Sequence, residues 1–315
     1  PIDRKPAMTD PVLHHVSCPD ASGGHRMAYW LWGDAAAAHL VVCVHGLSRQ
    51  GRDFDVLARA LLARAAAQGQ ALRVVCPDVV GRGDSDWLKE PMGYQFPTYV
   101  GDMLTLLGTL AQQAPIARLD WVGTSMGGLI GLMLAGAPDL PLPLPMRRLV
   151  LNDVGPVIEW QTLQRIGQYL GKSGPFESVE AGAARLRELA PGFGPHTDAQ
   201  WLALSRPMLR PAPQGGWRLH YDPAIAVPYA AVTQESSAQG EALLWQLYDQ
   251  VTAETLVLRG ADSDLLSAAT ARAMQARGPR PRVLEFAGVG HAPTLVADDQ
   301  VAAVCDFLLR ADRAP

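Results

Sequence analysis

The stretch Gly123-Thr124-Ser125-Met126-Gly127 has the form G-x-S-x-G and joins two different kinds of segment. The apolar run before it, 118–122, is typical of a buried strand, and the run after it, 129–135, is typical of a helix. A serine on such a tight turn presents its hydroxyl above the sheet, and the flanking glycines leave room for a strained backbone. The context therefore predicts Ser125 to be a nucleophile rather than an ordinary helix-capping serine.

A serine hydroxyl reacts well only when a histidine, held by a carboxylate, takes its proton. His291 is the last of the eight histidines and lies in a glycine-rich loop after the strand-like run 282–286. In folds built on this kind of turn, the chain order is serine, acid, histidine. The order and the loop both predict that His291 is the general base.

The acid is expected in a loop at the end of a strand. The run 255–259 is typical of a buried strand, and two aspartates, Asp262 and Asp264, follow it closely. Asp264 is the predicted acid because 264–267 leads into a helix with Ser267 as its N-cap, which leaves Asp262 as a turn residue. Asp153, directly after another predicted strand, is a third candidate.

A second loop is expected to help stabilise the negative charge that develops on a carbonyl oxygen under attack. The apolar run 40–44 ends in His45-Gly46-Leu47-Ser48. The backbone N–H groups of Leu47 and Met126 are the predicted donors of this oxyanion hole. His45 is expected to support the loop through its ring nitrogens and not to act in catalysis.

No cofactor or metal site is predicted from the sequence. The glycine-rich turn 77–86 has neither the P-loop pattern nor a G-x-G-x-x-G that opens a helix, so we interpret it as a connection between a strand and a helix. The four cysteines have no metal-ligand spacing and are expected to be reduced, buried thiols. The predicted serine, histidine and aspartate need no further group for their chemistry.

Composition excludes several classes of function. The chain has 315 residues, 48% hydrophobic and 18% charged, as an ordinary globular enzyme has. Its formal net charge of −4 argues against a nucleic-acid partner. No apolar run is long enough for a membrane span, and 1–6 lacks the apolar core of a secretion signal, so a cytoplasmic location is expected.

Strand-like and helix-like runs alternate along most of the chain, which predicts an α/β fold with a mostly parallel sheet and helices on both faces. The runs near 13–17 and 25–32 are predicted strands, and the second is expected at an antiparallel edge. The alternation stops after Gly155 and resumes near Val251. We predict a core of 1–155 and 251–315 with a helical cap, 156–250, inserted over Ser125.

Taken together, these motifs resemble the α/β-hydrolase superfamily over nearly the whole chain. Further stretches resemble bacterial serine carboxylesterases that act on short aliphatic esters or on polyester oligomers such as polylactide and polyhydroxybutyrate. The resemblance implies ester hydrolysis through an acyl-enzyme, on a small-molecule or oligomeric ester. The superfamily motifs are His45-Gly46, Asp78 with Gly81, Gly83 and Ser85, the Ser125 turn, the Asp262/Asp264 loop and Gly288-x-Gly290-His291, and the carboxylesterase stretches are 46–55, 149–156 and 219–223.

Several alternatives stay open at this stage. A carbon–carbon bond hydrolase or a lactone hydrolase would use the same three residues, and the former would want a cation such as Arg49 or Arg206 for a substrate carboxylate. A hydrolase-like receptor would use the pocket for binding. Phe54, Trp87 and Trp160 are candidates for the apolar wall of the pocket or for ordinary packing. The sequence does not indicate the oligomeric state.

Overall fold

A computed structural model describes residues 10–172 and 174–312 of the chain. Eight strands form one twisted sheet in the order β1-β2-β4-β3-β5-β6-β9-β10. Strands β1, β2 and β4 pair antiparallel, and all the other neighbours in this sheet pair parallel. The strands are β1 Val12–Cys18, β2 His25–Gly33, β3 His39–Val44, β4 Arg73–Pro77, β5 Arg118–Thr124, β6 Arg148–Asn152, β9 Glu254–Gly260 and β10 Arg282–Phe286.

Helices cover both faces of the sheet, as expected for parallel strands that are apolar on both sides. All six residues of β3 are buried, and so are all five of β6. One face packs against α1 and α10, and the other packs against α2, α3 and α9, while α8 packs on α3. These helices are α1 Asp55–Ala67, α2 Phe96–Gln113, α3 Met126–Gly136, α8 Gln234–Gln250, α9 Ala268–Ala276 and α10 Asp298–Leu309.

The segment between β6 and β9 adds no strand to the large sheet. It contains α4 Trp160–Tyr169, α5 Val179–Leu189, α6 Asp198–Ser205, α7 Ala226–Ala230 and α8, with a small antiparallel hairpin of β7 Leu209–Pro211 and β8 Trp217–Leu219. Residues of this segment line the cavities at Ser125. We call 156–250 the cap segment. The division into a core and a cap at these boundaries remains a prediction.

The predicted alternation is confirmed through the core, and Ser267 caps α9 by accepting from the Thr270 amide. The position predicted for β2 is wrong, because β1 is the edge strand and β2 lies between β1 and β4. The first four residues of β1 are exposed, whereas β2 is largely buried. The prediction that concerned 1–6 lies outside the described residues.

No helix in 10–172 or 174–312 has the length and apolarity that a bilayer crossing requires. All four cysteines, Cys18, Cys43, Cys76 and Cys305, are buried and unpaired with one another, as predicted.

Candidate active site

Ser125 lies on a strained turn between β5 and α3. Its backbone has φ 51° and ψ −116°, a conformation that residues with a side chain rarely adopt. Close backbone contacts explain the two glycines around it. A Cβ on Gly127 would lie 2.0 Å from the Val44 carbonyl oxygen, and a Cβ on Gly123 would lie 2.3 Å from the Gly127 carbonyl oxygen. The strand–turn–helix context predicted from the motif is therefore present.

His291 lies in the loop after β10 and bridges two side chains. Its Nε2 is 3.0 Å from the Ser125 hydroxyl, and its Nδ1 is 2.7 Å from Oδ2 of Asp153. Ser125 and His291 are partly exposed, whereas Asp153 is fully buried. These are the distances that a nucleophile, its base and an orienting carboxylate need.

Asp153, and not Asp264, holds His291. Asp153 directly follows β6, and its carboxylate accepts hydrogen bonds from the Gly260 amide at 2.8 Å and from the Ser263 hydroxyl at 2.6 Å. Together with His291, three donors therefore surround one buried carboxylate. Such contacts are what a buried charge requires, and they fix the imidazole in one orientation.

The prediction of Asp264 as the acid is wrong. Its exposed carboxylate accepts from Arg165 of α4 at 2.6 Å. Asp262 is exposed as well, and among the described residues neither carboxylate contacts His291. The loop that was expected to supply the acid supplies the two donors for Asp153 instead.

Asn152 is a supporting residue that the sequence reasoning missed. Its side-chain amide donates to the Thr124 hydroxyl at 2.9 Å and to the Pro293 carbonyl at 2.8 Å. It therefore ties the residue before Ser125 to the loop that carries His291. A polar residue at the buried end of β6, directly before Asp153, was the available signal.

Leu47 and Met126 lie where the predicted oxyanion donors belong. Met126 is the first residue of α3, and a Cβ on Gly46 would lie 3.7 Å from the Ser125 Cβ. Within the described parts of the chain, neither the Leu47 amide nor the Met126 amide donates to a protein acceptor. Their role as oxyanion donors remains a prediction.

His45 supports the Leu47 loop, as predicted. The ring is fully buried, its Nδ1 donates to the Gly46 carbonyl at 2.7 Å, and its Nε2 accepts from the Val79 amide at 2.9 Å. Burial lowers the pKa of His45 to about 3. The ring is therefore neutral near pH 7, in the one tautomer that satisfies both neighbours.

Two cavities meet at Ser125, and both are lined by Leu47, Ser125 and Ile166. The first chamber, of about 410 Å³, carries His291 and the charged side chains Arg49, Arg165, Asp262 and Asp264. The second chamber, of about 500 Å³, is mainly apolar, and among the described residues that line it Glu241 is the one with a charged side chain. Each volume is within the usual range for a small-molecule site. The walls of the second chamber include Tyr94, Phe96, Met126, Leu129, Ile158, Leu163, Pro228, Tyr229 and Leu244.

None of the three aromatic residues proposed as wall candidates lines either chamber. Phe54 packs in the core on the α1 face of the sheet, and Trp87 lies under the guanidinium of Arg218. Trp160 begins α4 but is absent from both linings. For Phe54 and Trp87, ordinary packing rather than a place in the pocket wall is confirmed.

The fold brings together three potential metal ligands that spacing in the sequence did not indicate. They are Cys18, His25 and Asp102, all buried. The two ring nitrogens of His25 are 2.8 Å from Asp20 and 2.9 Å from Asp102. Burial alone would lower the pKa of His25, but these hydrogen bonds outweigh it and raise the pKa. Because both ring nitrogens of His25 are engaged by carboxyl groups, neither has a free lone pair for a metal, and we interpret the group as a structural hydrogen-bonded cluster.

Replacing each candidate acid by asparagine distinguishes the three aspartates. We expect Asp153→Asn to lower kcat by about four orders of magnitude, because the amide favours the wrong tautomer of His291. Asp264→Asn and Asp262→Asn should keep kcat within about threefold of the wild type, since neither carboxylate contacts His291. The measurement is kcat on one ester, with folding checked by thermal melting. A crippled Asp264→Asn enzyme beside an active Asp153→Asn enzyme would contradict the geometry.

Burial of His45 also predicts a pH dependence of stability. The pKa of His45 is about 3 in the folded protein, against an ordinary value of 6.5, so the unfolded chain binds more protons between these limits. The folded protein therefore keeps its full free energy of unfolding above about pH 6.5 and loses part of it as the pH falls towards 3. Between pH 7 and pH 5 the loss is about 2 kcal/mol.

The variant His45→Gln cannot take up this proton. Its free energy of unfolding should be lower than that of the wild type at pH 7, because the glutamine replaces a buried ring. Between pH 7 and pH 5, however, it should fall less than that of the wild type. The exposed His14→Gln is the matched control and should keep the wild-type slope. Urea unfolding at both pH values measures the difference, and equal slopes in the wild type and His45→Gln would refute the assignment.

Comparison with known proteins identifies the family of the chain. The model of the alpha/beta hydrolase family matches residues 41–304. The chain is 46% identical to a 3-hydroxybutyrate-oligomer hydrolase from Cupriavidus necator, over 94% of this chain and 97% of that protein.

Solved structures show the same fold. An alpha/beta hydrolase from Novosphingobium aromaticivorans superposes with a TM-score of 0.79 at 33% identity, over 97% of this chain and 100% of that chain. A putative hydrolase from Rickettsia typhi superposes with a TM-score of 0.80 at 25% identity, over 96% of this chain and 100% of that chain. The chain therefore belongs to the alpha/beta hydrolase family.

Proposed function

We propose that this protein is a serine carboxylesterase that hydrolyses oligomers of 3-hydroxybutyrate or of closely related short hydroxy acids. The observation that carries the proposal is the bridge of His291 between Ser125 at 3.0 Å and buried Asp153 at 2.7 Å. The 46% identity to a 3-hydroxybutyrate-oligomer hydrolase supports this choice of substrate.

The reaction follows from the positions of the three side chains. His291 Nε2 takes the Ser125 proton as Oγ attacks the ester carbonyl, and Asp153 stabilises the imidazolium that forms. The N–H groups of Leu47 and Met126 donate to the oxyanion. The imidazolium then gives its proton to the departing alcohol oxygen, which leaves an ester between the acyl group and Ser125. Water, deprotonated by the same ring, hydrolyses this acyl-enzyme.

The two chambers are suited to different halves of the substrate. His291 must reach the departing oxygen, and it lines the first chamber but not the second. The alcohol half therefore occupies the first chamber. The acyl half extends past Leu47 and Met126 into the mainly apolar second chamber.

This orientation suits a linear hydroxy-acid oligomer. At every ester bond of such an oligomer, the alcohol half contains the free carboxylate end and the acyl half contains the hydroxyl end. The first chamber has two arginines and two aspartates in its lining, so its side chains present no net charge that would repel the carboxylate. The second chamber accepts the methyl-bearing acyl units through apolar contacts.

The structure does not favour the carbon–carbon bond hydrolase that the sequence left open. The Nε and one terminal nitrogen of Arg49 already bind the Asp53 carboxylate, at 2.7 and 2.6 Å, and the same terminal nitrogen donates to the Leu204 carbonyl at 3.2 Å. Arg206 is absent from both linings. A receptor without catalysis would not require the Ser125–His291–Asp153 geometry.

An organophosphorus reagent tests the nucleophile and the base. Diisopropyl fluorophosphate should add one label to Ser125, and Ser125→Ala should abolish both labelling and turnover. His291→Ala should slow labelling by at least two orders of magnitude, since the serine then lacks its base. His196→Ala is the matched control because His196 contacts Thr294 of the same loop but not Ser125, and it should label normally. Fast labelling of His291→Ala in intact-mass measurements would exclude His291 as the base.

The substrate proposal is tested with the linear trimer of 3-hydroxybutyrate. The wild type should release 3-hydroxybutyrate from it, and Ser125→Ala should not. Chromatography of the products over time is the measurement. Hydrolysis of p-nitrophenyl butyrate without any hydrolysis of the trimer would restrict the enzyme to simple esters and refute the choice of oligomers.

Two tryptophan variants test the orientation of the substrate. Ile158→Trp fills part of the second chamber and should lower kcat/KM for long acyl chains at least tenfold while sparing acetates. Leu189→Trp fills part of the first chamber and should impair esters of bulky alcohols while sparing methyl esters. The reverse pattern would invert the orientation and leave the esterase proposal intact.

A further inference from the structure

Arg82 is a fully buried arginine between the two residues predicted to supply the oxyanion donors. Its Nε donates to the Leu47 carbonyl at 2.8 Å, and one terminal nitrogen lies 3.7 Å from the Met126 sulfur. The other terminal nitrogen donates to the Val80 carbonyl at 2.7 Å and to the Tyr99 hydroxyl at 3.1 Å. One guanidinium therefore contacts both residues that are predicted to supply the oxyanion donors.

The positive charge of Arg82 is not neutralised by an ion pair. Across 10–172 and 174–312, no carboxylate forms a salt bridge with it. Carbonyl oxygens and the faces of Tyr94 and Tyr99, whose ring centres are 5.8 and 5.1 Å from the guanidinium carbon, surround it instead. An arginine stays protonated even when buried. A permanent positive charge therefore lies against Leu47 and Met126, the two residues whose N–H groups are the predicted oxyanion donors.

The backbone of Arg82 connects this charge to the cap segment. Arg82 forms a β-bridge with Tyr221, the Gly83 amide donates to the His220 carbonyl at 2.9 Å, and the Asp222 amide donates to the Gly81 carbonyl at 2.7 Å. The turn that carries Arg82 is thus paired with the stretch of the cap segment that follows β8.

We propose that Arg82 is a positioning residue for the oxyanion hole. It holds Leu47 and Met126 at the separation that catalysis needs, and this separation therefore depends on the pairing of the Arg82 turn with the cap segment. The positive charge of its guanidinium also stabilises the tetrahedral oxyanion, because an electrostatic attraction is stronger across the protein interior than in water. This inference rests on the proposed ester hydrolysis and adds a residue that the motif did not mark.

The test compares Arg82→Met with the wild type on p-nitrophenyl butyrate. The oxyanion forms only in the transition state, so kcat should fall about a hundredfold while KM changes less than threefold. A trifluoromethyl ketone, to which Ser125 Oγ adds to give an anionic hemiketal, should bind more weakly by the same factor. Binding of the uncharged substrate to Ser125→Ala and to the Ser125→Ala/Arg82→Met double variant should be equal.

Arg73→Met is the matched control. Arg73 is also fully buried and donates to backbone carbonyls, those of Ala35 and Ala114, but it begins β4, at the end of the sheet away from Ser125. The Arg73→Met variant should lose stability as Arg82→Met does, but its kcat should stay within threefold of the wild-type value. Equal losses of kcat in both variants would show a general packing defect and overturn the proposal.

Arg82→Lys covers the case in which Arg82→Met does not fold. Lysine keeps the charge but has no fork to span Leu47 and Met126, so we expect about a tenfold fall in kcat with a parallel loss of ketone affinity. A kcat within threefold of the wild type in Arg82→Lys, or a fall in kcat with unchanged ketone affinity, would overturn the proposal. Wild type that hydrolyses no ester would instead overturn the proposed function.

Discussion

The strained backbone of Ser125 depends on how closely α3 approaches β3. At φ 51° the serine turns its hydroxyl away from the sheet, and the turn closes because Gly127 packs against the Val44 carbonyl with no space for a Cβ. A methyl group at Gly127 would force α3 away from the sheet and move the Met126 amide with it. The same contact therefore sets the position of the nucleophile and of one oxyanion donor. Strain of this kind persists only where the surrounding packing holds it.

Parallel pairing then brings the remaining residues to the same edge. Strands β3, β5, β6 and β9 are consecutive neighbours, so their carboxyl ends lie side by side. Leu47, Ser125 and Asp153 each follow one of these ends within three residues. His291 comes from the loop after β10, the next strand along. Ligand sites in open α/β sheets form at this edge for the same reason.

The sequence predicted most of this arrangement because its strongest signals are local. The Ser125 turn, the supporting role of His45 and the loop of His291 each depend on a few adjacent residues and the strand before them. The alternation of strands and helices predicted the core for the same reason. The edge position of β1 was missed because alternation within one strand does not show which strands pair on both sides.

The acid could not be identified in this way because the two candidate loops lie next to each other. Strands β6 and β9 pair in register, with Asn152 opposite Leu258. Asp153 and the Asp262/Asp264 loop therefore begin at adjoining strand ends, and either loop reaches His291.

What separates the two candidates is burial, which is a property of the assembled fold. Asp153 is enclosed and receives donors from Gly260 and Ser263, whereas Asp264 points to solvent and pairs with Arg165. An enclosed carboxylate keeps its hydrogen bonds to the imidazole free from competition with water, so it orients His291 better than an exposed one does. Ser263 is the informative residue in hindsight. Its hydroxyl, in the loop after β9, donates to Asp153, which directly follows the neighbouring strand β6. Its position between two aspartates conceals that role in the sequence.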